Sequence, residues 1–310
     1  MPKIYFIIVT YNAMKWAEKC FTSLKLSSVP VHCIVVDNGS TDGTQEYMTT
    51  NFPEIEFVQS GENLGFGKAN NIGIEKAYRE GADFFYLMNQ DAWIYEDSVQ
   101  KLLEVYQSYP NKKEIGILSP MHIDGTEKKL DIFLDKYIAH NFETRLISDL
   151  YFQSLKPYYE VSFINAAHWL LPKETIETVG GFNPYFFHYG EDTEYTNRVK
   201  FHQKKTLLIP QSKVVHDGKQ FLGKVDYSTY EDLTTETNIF NPAIKNALSS
   251  EKRSLLQSII KNTLLRDFKM VHKLFRKYKK ISKECPALIN IRNNAERKGP
   301  AFLNLNSSAK

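Results

Sequence analysis

Phe84-Phe85-Tyr86-Leu87-Met88-Asn89-Gln90-Asp91 is a run of five apolar residues that ends at a carboxylate. A continuous apolar run this short predicts a strand buried on both faces, as in a sheet covered by helices. Asp91 then stands just past the carboxyl end of that strand, the edge at which open α/β sheets bind ligands. A lone Asp there also serves as a turn former or helix cap, so the neighbours have to decide its role.

Working outward, Ile4 to Val9 is a second buried-strand candidate and ends at Thr10-Tyr11-Asn12. Val31 to Val36 is a third, followed by Asp37-Asn38-Gly39-Ser40-Thr41-Asp42-Gly43, with Asn-Gly and Asp-Gly turn signals. Helices are expected over Met14 to Ser27 and from Thr44, with a short strand over Ile55 to Val58. In Asn63-Leu64-Gly65-Phe66-Gly67-Lys68, the two glycines permit close backbone approach to a ligand. Lys68 opens a helix whose amino terminus, like its ammonium, suits an anion. The stretch lacks the Gly-Lys-Ser/Thr ending of a P-loop and the placement of a dinucleotide fingerprint. Alternating strands and helices predict an α/β fold with a mostly parallel sheet. Right-handed crossovers bring the polar strand ends to one edge, hence to one pocket.

Ile115 to Leu118 reads as a strand and Asp124-Gly125 as a hairpin turn, while Phe133 to Tyr159 is aromatic and irregular. Phe163 to Leu171 leads into a helix begun by Pro172 and stopped at Gly180-Gly181. After a ring-rich loop, Glu191-Asp192-Thr193-Glu194 opens a helix, where acids suit the dipole. Leu207 to Ile209 and Lys213 to Val215 read as two short strands, the second ending at His216.

The 310 residues are 42% hydrophobic and 13% aromatic, a globular composition. Cys20, Cys33 and Cys285 are odd in number and widely spaced, which argues against a disulfide framework or a zinc site. The amino-terminal apolar run is too short for a signal peptide, and no run approaches the ~20 residues of a membrane span. The net charge of +3 hides an asymmetry, because residues 251–284 alone carry +8. Leu255, Ile259, Leu264, Phe268, Val271, Phe275 and Tyr278 form an apolar stripe there, so this is a basic amphipathic helix or helix pair. It suits an anionic membrane surface or packing on the body of the protein. Residues 292–310 are polar and read as mobile.

Taken in order, Ile7 to Asn12, Val36 to Thr44, Asn63 to Asn71, Asn89-Gln90-Asp91, Val179 to Phe182, Gly190-Glu191-Asp192 and His216 resemble a family 2 glycosyltransferase with the GT-A fold. The likeness covers about residues 3–220 and is greatest to bacterial rhamnosyl- and galactofuranosyltransferases of surface polysaccharides. It implies a UDP- or dTDP-sugar donor, a glycan or lipid-linked acceptor, Mn²⁺ or Mg²⁺, and inversion at the anomeric carbon. It divides the chain into a catalytic domain over 1–225, nucleotide half first, and a basic helical extension over 226–310. No nucleic-acid partner is implied, and the expected place is the cytoplasm or the inner face of the plasma membrane.

By the same resemblance, Asp37 contacts the base, with Thr10, Asn12, Asn38 and Lys68 beside it. Asp91 matches the second acid of the Asp-X-Asp metal motif, and Asn89 stands where the first acid belongs. Asn89 can still bond a ribose, so the metal rests on Asp91 and His216. Asp192 matches the catalytic base, and Trp169, His188 and Glu191 are acceptor-side candidates. The chemistry is coherent, since a metal offsets charge on a leaving diphosphate and a carboxylate takes the proton of an attacking hydroxyl. Two alternatives compete: a non-catalytic partner subunit, favoured by Asn89, and a sugar nucleotidyltransferase, disfavoured by Thr10-Tyr11-Asn12-Ala13 after the first strand.

Overall fold

The computed structural model describes residues 1–140, 144–218 and 227–306. The chain forms two compact units, one of Met1–Lys224 with Lys298–Lys310 and one of Val225–Arg297. The boundary expected at 225/226 thus lies in a stretch outside the described residues.

The first unit begins β1 (Ile4–Thr10), α1 (Ala17–Lys25), β2 (His32–Asp37), α2 (Thr44–Asn51), β3 (Glu56–Gln59), α3 (Phe66–Arg79) and β4 (Phe84–Asn89). It continues with β5 (Ala92–Ile94), α4 (Ser98–Ser108), β6 (Ile115–Ile123), α5 (Ile132–His140), α6 (Leu146–Tyr151) and β7 (Tyr159–Val161). It closes with β8 (His168–Pro172), α7 (Lys173–Val179), α8 (Glu191–Phe201) and β9 (Lys205–His216). The strands make one sheet in the order β3-β2-β1-β4-β8-β6-β9-β5, with β7 also on β9. The β3-β2-β1-β4 half is parallel. Beyond it β8 runs antiparallel between β4 and β6, and β9 lies parallel to β6.

Both faces of the sheet are covered, which is why β1 and β4 read as continuous apolar runs. Ile4, Phe6 and Ile8 pack with Phe21 and Leu24 of α1 and Leu102 of α4. Tyr5 and Ile7 face the other way, toward Ala69 and Ile74 of α3 and Val179 of α7. Each such side chain contributes about 1.5–3 kcal/mol on full burial.

Three expectations change. The irregular stretch after Phe133 contains α5 and α6, which bury Leu134, Ile138 and Leu146. The two strands expected between Leu207 and Val215 are one, β9. Its pairing with β6 slips between Ile209 and Lys213, a bulge at Pro210 where no N–H is available. The tail, read as polar and mobile, bonds to the first unit at several of its described residues. Gly181 N donates to Ala301 O at 2.9 Å, Gly299 N to Thr178 O at 3.0 Å, and Asn304 N to Glu75 Oε1 at 2.8 Å.

The second unit is three helices, α9 (Tyr227–Phe240), α10 (Ala247–Leu264) and α11 (Phe268–Glu296). Asp267 caps α11 by accepting from Met270 N at 3.0 Å. Arg292 spans back to α9, donating to Ile239 O at 2.6 Å and Ile244 O at 2.8 Å.

Candidate active site

The ends of β1, β2 and β4 meet at a cleft of about 340 Å³, lined by Tyr11, Asn38, Asn63, Asn89, Gln90 and Asp91, together with Phe187 and His188. A larger cavity of about 510 Å³ lies around Lys205, at the other end of β9 from His216. There Lys205 is paired with Glu114 at 3.1 Å, and the Lys204 ammonium donates to Lys113 O at 2.8 Å.

Several polar residues expected to face the ligand build the wall instead. Asp37 is fully buried. Its carboxylate accepts from Thr10 Oγ1 at 2.6 Å, Ser40 N at 2.8 Å, Gly39 N at 3.1 Å and Gln59 Nε2 at 2.9 Å. Asn12 accepts from Thr41 N at 2.9 Å, and Asp42 accepts from Met14 N at 3.0 Å. These bonds lock the loop after β1 to the loop after β2. Asp37 and Thr10 therefore stand behind the wall, and Asn38 lines the cleft. Gln90 closes the other side, accepting from Tyr11 N at 2.7 Å and donating to Tyr11 O at 3.1 Å.

The glycine turn before α3 also has a different visitor. Gly65 has φ +79°, and a side chain there would meet the Phe187 carbonyl at 2.2 Å. Phe66 N donates to that carbonyl at 3.2 Å. The close approach at Gly65 is made by the 182–190 loop, and Lys68 is exposed on the first turn of α3 outside the cleft lining.

Next to two residues of the cleft lining, His216 Nε2 lies 3.7 Å from Asp91 Oδ1 and 3.4 Å from Asn89 Nδ2. His216 Nδ1 bonds Asp131 Oδ2 at 2.9 Å. Asp131 is fully buried, and its other oxygen caps α5 through Phe133 N at 2.8 Å. This carboxylate–imidazole pair fixes the ring and turns Nε2 toward Asp91, the arrangement found behind metal-bound histidines. Burial lowers the His216 pKa, but the Asp131 bond and the charges of Asp91, Asp131 and Asp217 outweigh it, and the net shift is upward. Asn89 Oδ1 is buried without a hydrogen-bond partner.

Among the described residues there is no group of three or more His, Cys, Asp or Glu able to hold a metal. The donors nearest one another are Asp91 and His216 Nε2, with the Asn89 amide beside the imidazole. So small a protein set fits a cation that takes its remaining ligands from water and substrate phosphates.

Three acids open α8, and each has a different environment. Glu194 is fully buried and accepts from Arg198 Nε at 2.9 and 3.0 Å. Arg198 Nη2 donates to Gly181 O at 2.6 Å, so the pair holds the turn before the 182–190 loop. Asp192 is half-buried and accepts from Thr193 N at 2.7 Å. Burial pushes its carboxyl up to about 6. Glu191 is buried, with Oε2 unpartnered. Burial first, and then the Asp192 charge, push it up to about 8. The two carboxyls titrate together, and burial holds both above the usual carboxylate range. Tyr137 of α5 lies within the fields of both Asp192 and Asp131, which with burial raise its hydroxyl pKa.

Trp169, expected near the acceptor, is fully buried in β8, stacked on Phe182 with centroids 6.1 Å apart. It is a core residue, because the antiparallel pairing of Leu87 with Trp169 turns its ring into the layer shared with Tyr195. His188 does line the cleft. Asp131 and Tyr137 were missed in sequence, since neither sits in a motif and the His216 partner is 85 residues away.

The family model described as glycosyl transferase family 2 matches residues 5–177, more than half of the chain. The N-acetylglucosaminyl-diphospho-decaprenol L-rhamnosyltransferase of Mycobacterium tuberculosis is 25% identical over 242 residues, 70% of this chain and 77% of the relative. The dTDP-rhamnosyl transferase RfbF of Shigella flexneri is 27% identical over 215 residues, covering 69% and 68%. The crystal structure of S. aureus TarS 1-349 in complex with UDP superposes with a TM-score of 0.54 at 14% identity, over 81% of this chain and 69% of that one. The sheet order, the cleft at the strand ends and the matched sequence agree: the chain belongs to glycosyltransferase family 2 and has the GT-A fold.

Proposed function

We propose that the protein moves a sugar from a nucleotide-diphosphate sugar to a hydroxyl of a glycan or lipid-linked glycan, with inversion. The carrying observation is the grouping of Asn89 and Asp91 with the Asp131-held His216 beside the cleft where three strand ends meet. Asn38 and Tyr11 offer the cleft a polar and an aromatic group for the nucleoside, and His188 lines it with them. Asp91 and His216, with Asn89, would hold Mg²⁺ or Mn²⁺, the imidazole leaning the choice toward Mn²⁺. When bound, the cation supplies countercharge to the leaving diphosphate.

Asp192 takes the acceptor proton. Its carboxylate is ionised at neutral pH yet more basic than an exposed Asp, which suits a general base. The names of the two rhamnosyltransferase relatives support a deoxyhexose as the transferred sugar, and that of the Mycobacterium tuberculosis relative supports a lipid-diphosphate glycan as acceptor class. Such an acceptor puts the site of action at a membrane surface.

Asp192→Asn should lower transfer by about 10²–10⁴-fold while nucleoside diphosphate still binds. Asp91→Ala should lose the Mn²⁺-dependent part of that binding in a calorimetric titration, and His216→Ala should weaken it. Affinity that is the same with and without Mn²⁺ in all three proteins would remove the metal. Transfer by Asp192→Asn within a few-fold of wild type would remove the base.

A further inference from the structure

We infer that the corner where α10 turns into α11 is a docking surface for an anionic lipid bilayer. The inference rests on the reading above only in giving the enzyme a reason to be at a membrane. Its support is independent of the active site.

The apolar residues of α10 and α11 divide into two groups in the folded unit. Leu255, Ile281 and Leu288 are buried and hold the helices together. The residues around the corner are not: Ile260 is 61% exposed, Leu264 80%, Leu265 66% and Phe268 65%. Single exposed apolar residues are normal on soluble proteins, but a contiguous group of large ones marks an interaction surface. Ile260, Leu264 and Leu265 also line an almost wholly apolar groove of about 400 Å³ with Gln257 and Lys261.

Charge selects the occupant. Residues 253–280 hold nine Lys or Arg and one acid, Asp267, a net of +8. Asp267 is engaged as the α11 cap. Lys261, Arg266 and Lys269 stand exposed beside the apolar group. A second copy would bring +8 against +8, and a nucleic acid has no use for a crown of Leu, Ile and Phe. An anionic bilayer satisfies both features, with headgroups meeting the cations and the acyl boundary receiving the apolar side chains. No described helix is long and apolar enough to cross a membrane, so the corner lies in the interface.

The test uses the full-length chain with vesicles of neutral phosphatidylcholine, alone or mixed with phosphatidylglycerol, at low and high salt. Wild type should co-sediment with the anionic vesicles, weakly with neutral ones, and less as salt rises. Leu264→Glu with Leu265→Glu should weaken binding by about 100-fold, because one buried Leu is worth about tenfold or more. Arg266→Glu with Lys269→Glu should remove much of the salt-sensitive part, each cation being worth about fivefold. All four positions are exposed, so the melting temperature and nucleoside diphosphate binding should not move in either variant. Wild type that ignores anionic vesicles at low salt overturns the inference, as does binding that both variants retain. Self-association or nucleic-acid retention lost in the variants, without vesicle binding, assigns the corner to another partner. Loss of vesicle binding with intact sugar transfer leaves the enzymatic reading standing, and the reverse leaves the corner standing.

Discussion

Glu191, Asp192 and Glu194 show how one residue type in one helical turn takes three roles from its surroundings. Arg198 Nε donates to both Glu194 oxygens and makes it structural, while burial still raises its carboxyl pKa. Asp192 accepts from its neighbour's amide and hydroxyl, and Glu191 has a buried oxygen with no partner among the described residues. Activity should rise with pH through about 6 as Asp192 ionises, because only the carboxylate accepts a proton. Glu191→Gln mimics the protonated acid and should keep transfer at neutral pH within several-fold. A loss as large as that of Asp192→Asn would make Glu191 the base. Stability gives a second readout. A carboxyl whose folded-state pKa is raised costs nothing below its unfolded pKa of 3.8, costs more as pH climbs to about 6, and bears the full cost above. Asp192→Asn should thus leave the melting temperature unchanged at about pH 4 and raise it at about pH 8, by roughly 1–3 kcal/mol of stability. The same scale decides Asp131. Asp131→Asn keeps the α5 cap but loses the charge behind His216, and should weaken Mn²⁺ binding by about 10–100-fold in calorimetry. Unchanged Mn²⁺ affinity would mean that His216 is not a ligand.

At the scale of elements, the Gly180-Gly181 turn joins α7, the 182–190 loop and the returning tail. Sequence reading took the two glycines for a helix stop, which they are. Their second reason is spatial: a side chain on Gly181 would meet Asn71 Oδ1 at 2.4 Å and Leu303 Cδ2 at 2.5 Å. Gly181→Ala should displace the tail and loosen the loop that carries His188 and leads into α8, lowering the melting temperature and transfer together. Unchanged protease sensitivity after residue 298 in that variant would count against the clamp. Arg198→Met would leave Glu194 buried and unpaired, at a cost of about 3–5 kcal/mol in denaturant unfolding. These contacts explain what could be read in advance. β1, β2 and β4 were legible because a strand buried on both faces shows as a plain apolar run, and the polar triplets after them mark the cleft edge. The 133–159 stretch was not, because α5 and α6 are short, aromatic and anchored by a few buried residues with no clear period. β5 is three residues long and exists because it pairs with β9. Asp37 matches a motif position and Trp169 offers a ring for stacking a sugar; neither signal records burial, and both side chains are fully buried.

For the whole molecule, the order of the chain matters more than the count of its units. The helical unit is inserted within the first unit, which resumes at Lys298. Deleting everything after residue 224 therefore removes more than the helices. It takes away the turn-rich return in which Ala301 accepts from Gly181, Phe302 lies 5.1 Å from the Arg198 guanidinium, and Asn71 Nδ2 reaches the Phe302 carbonyl at 3.4 Å. The deletion would leave the Gly181 amide without its acceptor beside a buried ion pair. Replacing residues 225–297 by a Gly/Ser linker of about 20 residues, with a root-mean-square span of roughly 25 Å, keeps those contacts available. Two proteins distinguish the contributions. The linker chain should unfold cooperatively, bind nucleoside diphosphate and transfer to a soluble acceptor, but fail to sediment with anionic vesicles. The chain ending at 224 should melt several degrees lower or aggregate, because a loss of 1 kcal/mol shifts the midpoint by about 2–4 °C in a domain of this size. Equal melting temperatures would show that the tail only rests on the catalytic unit. A linker chain that cannot fold, in two different linker lengths, would show that the helices form part of the catalytic core.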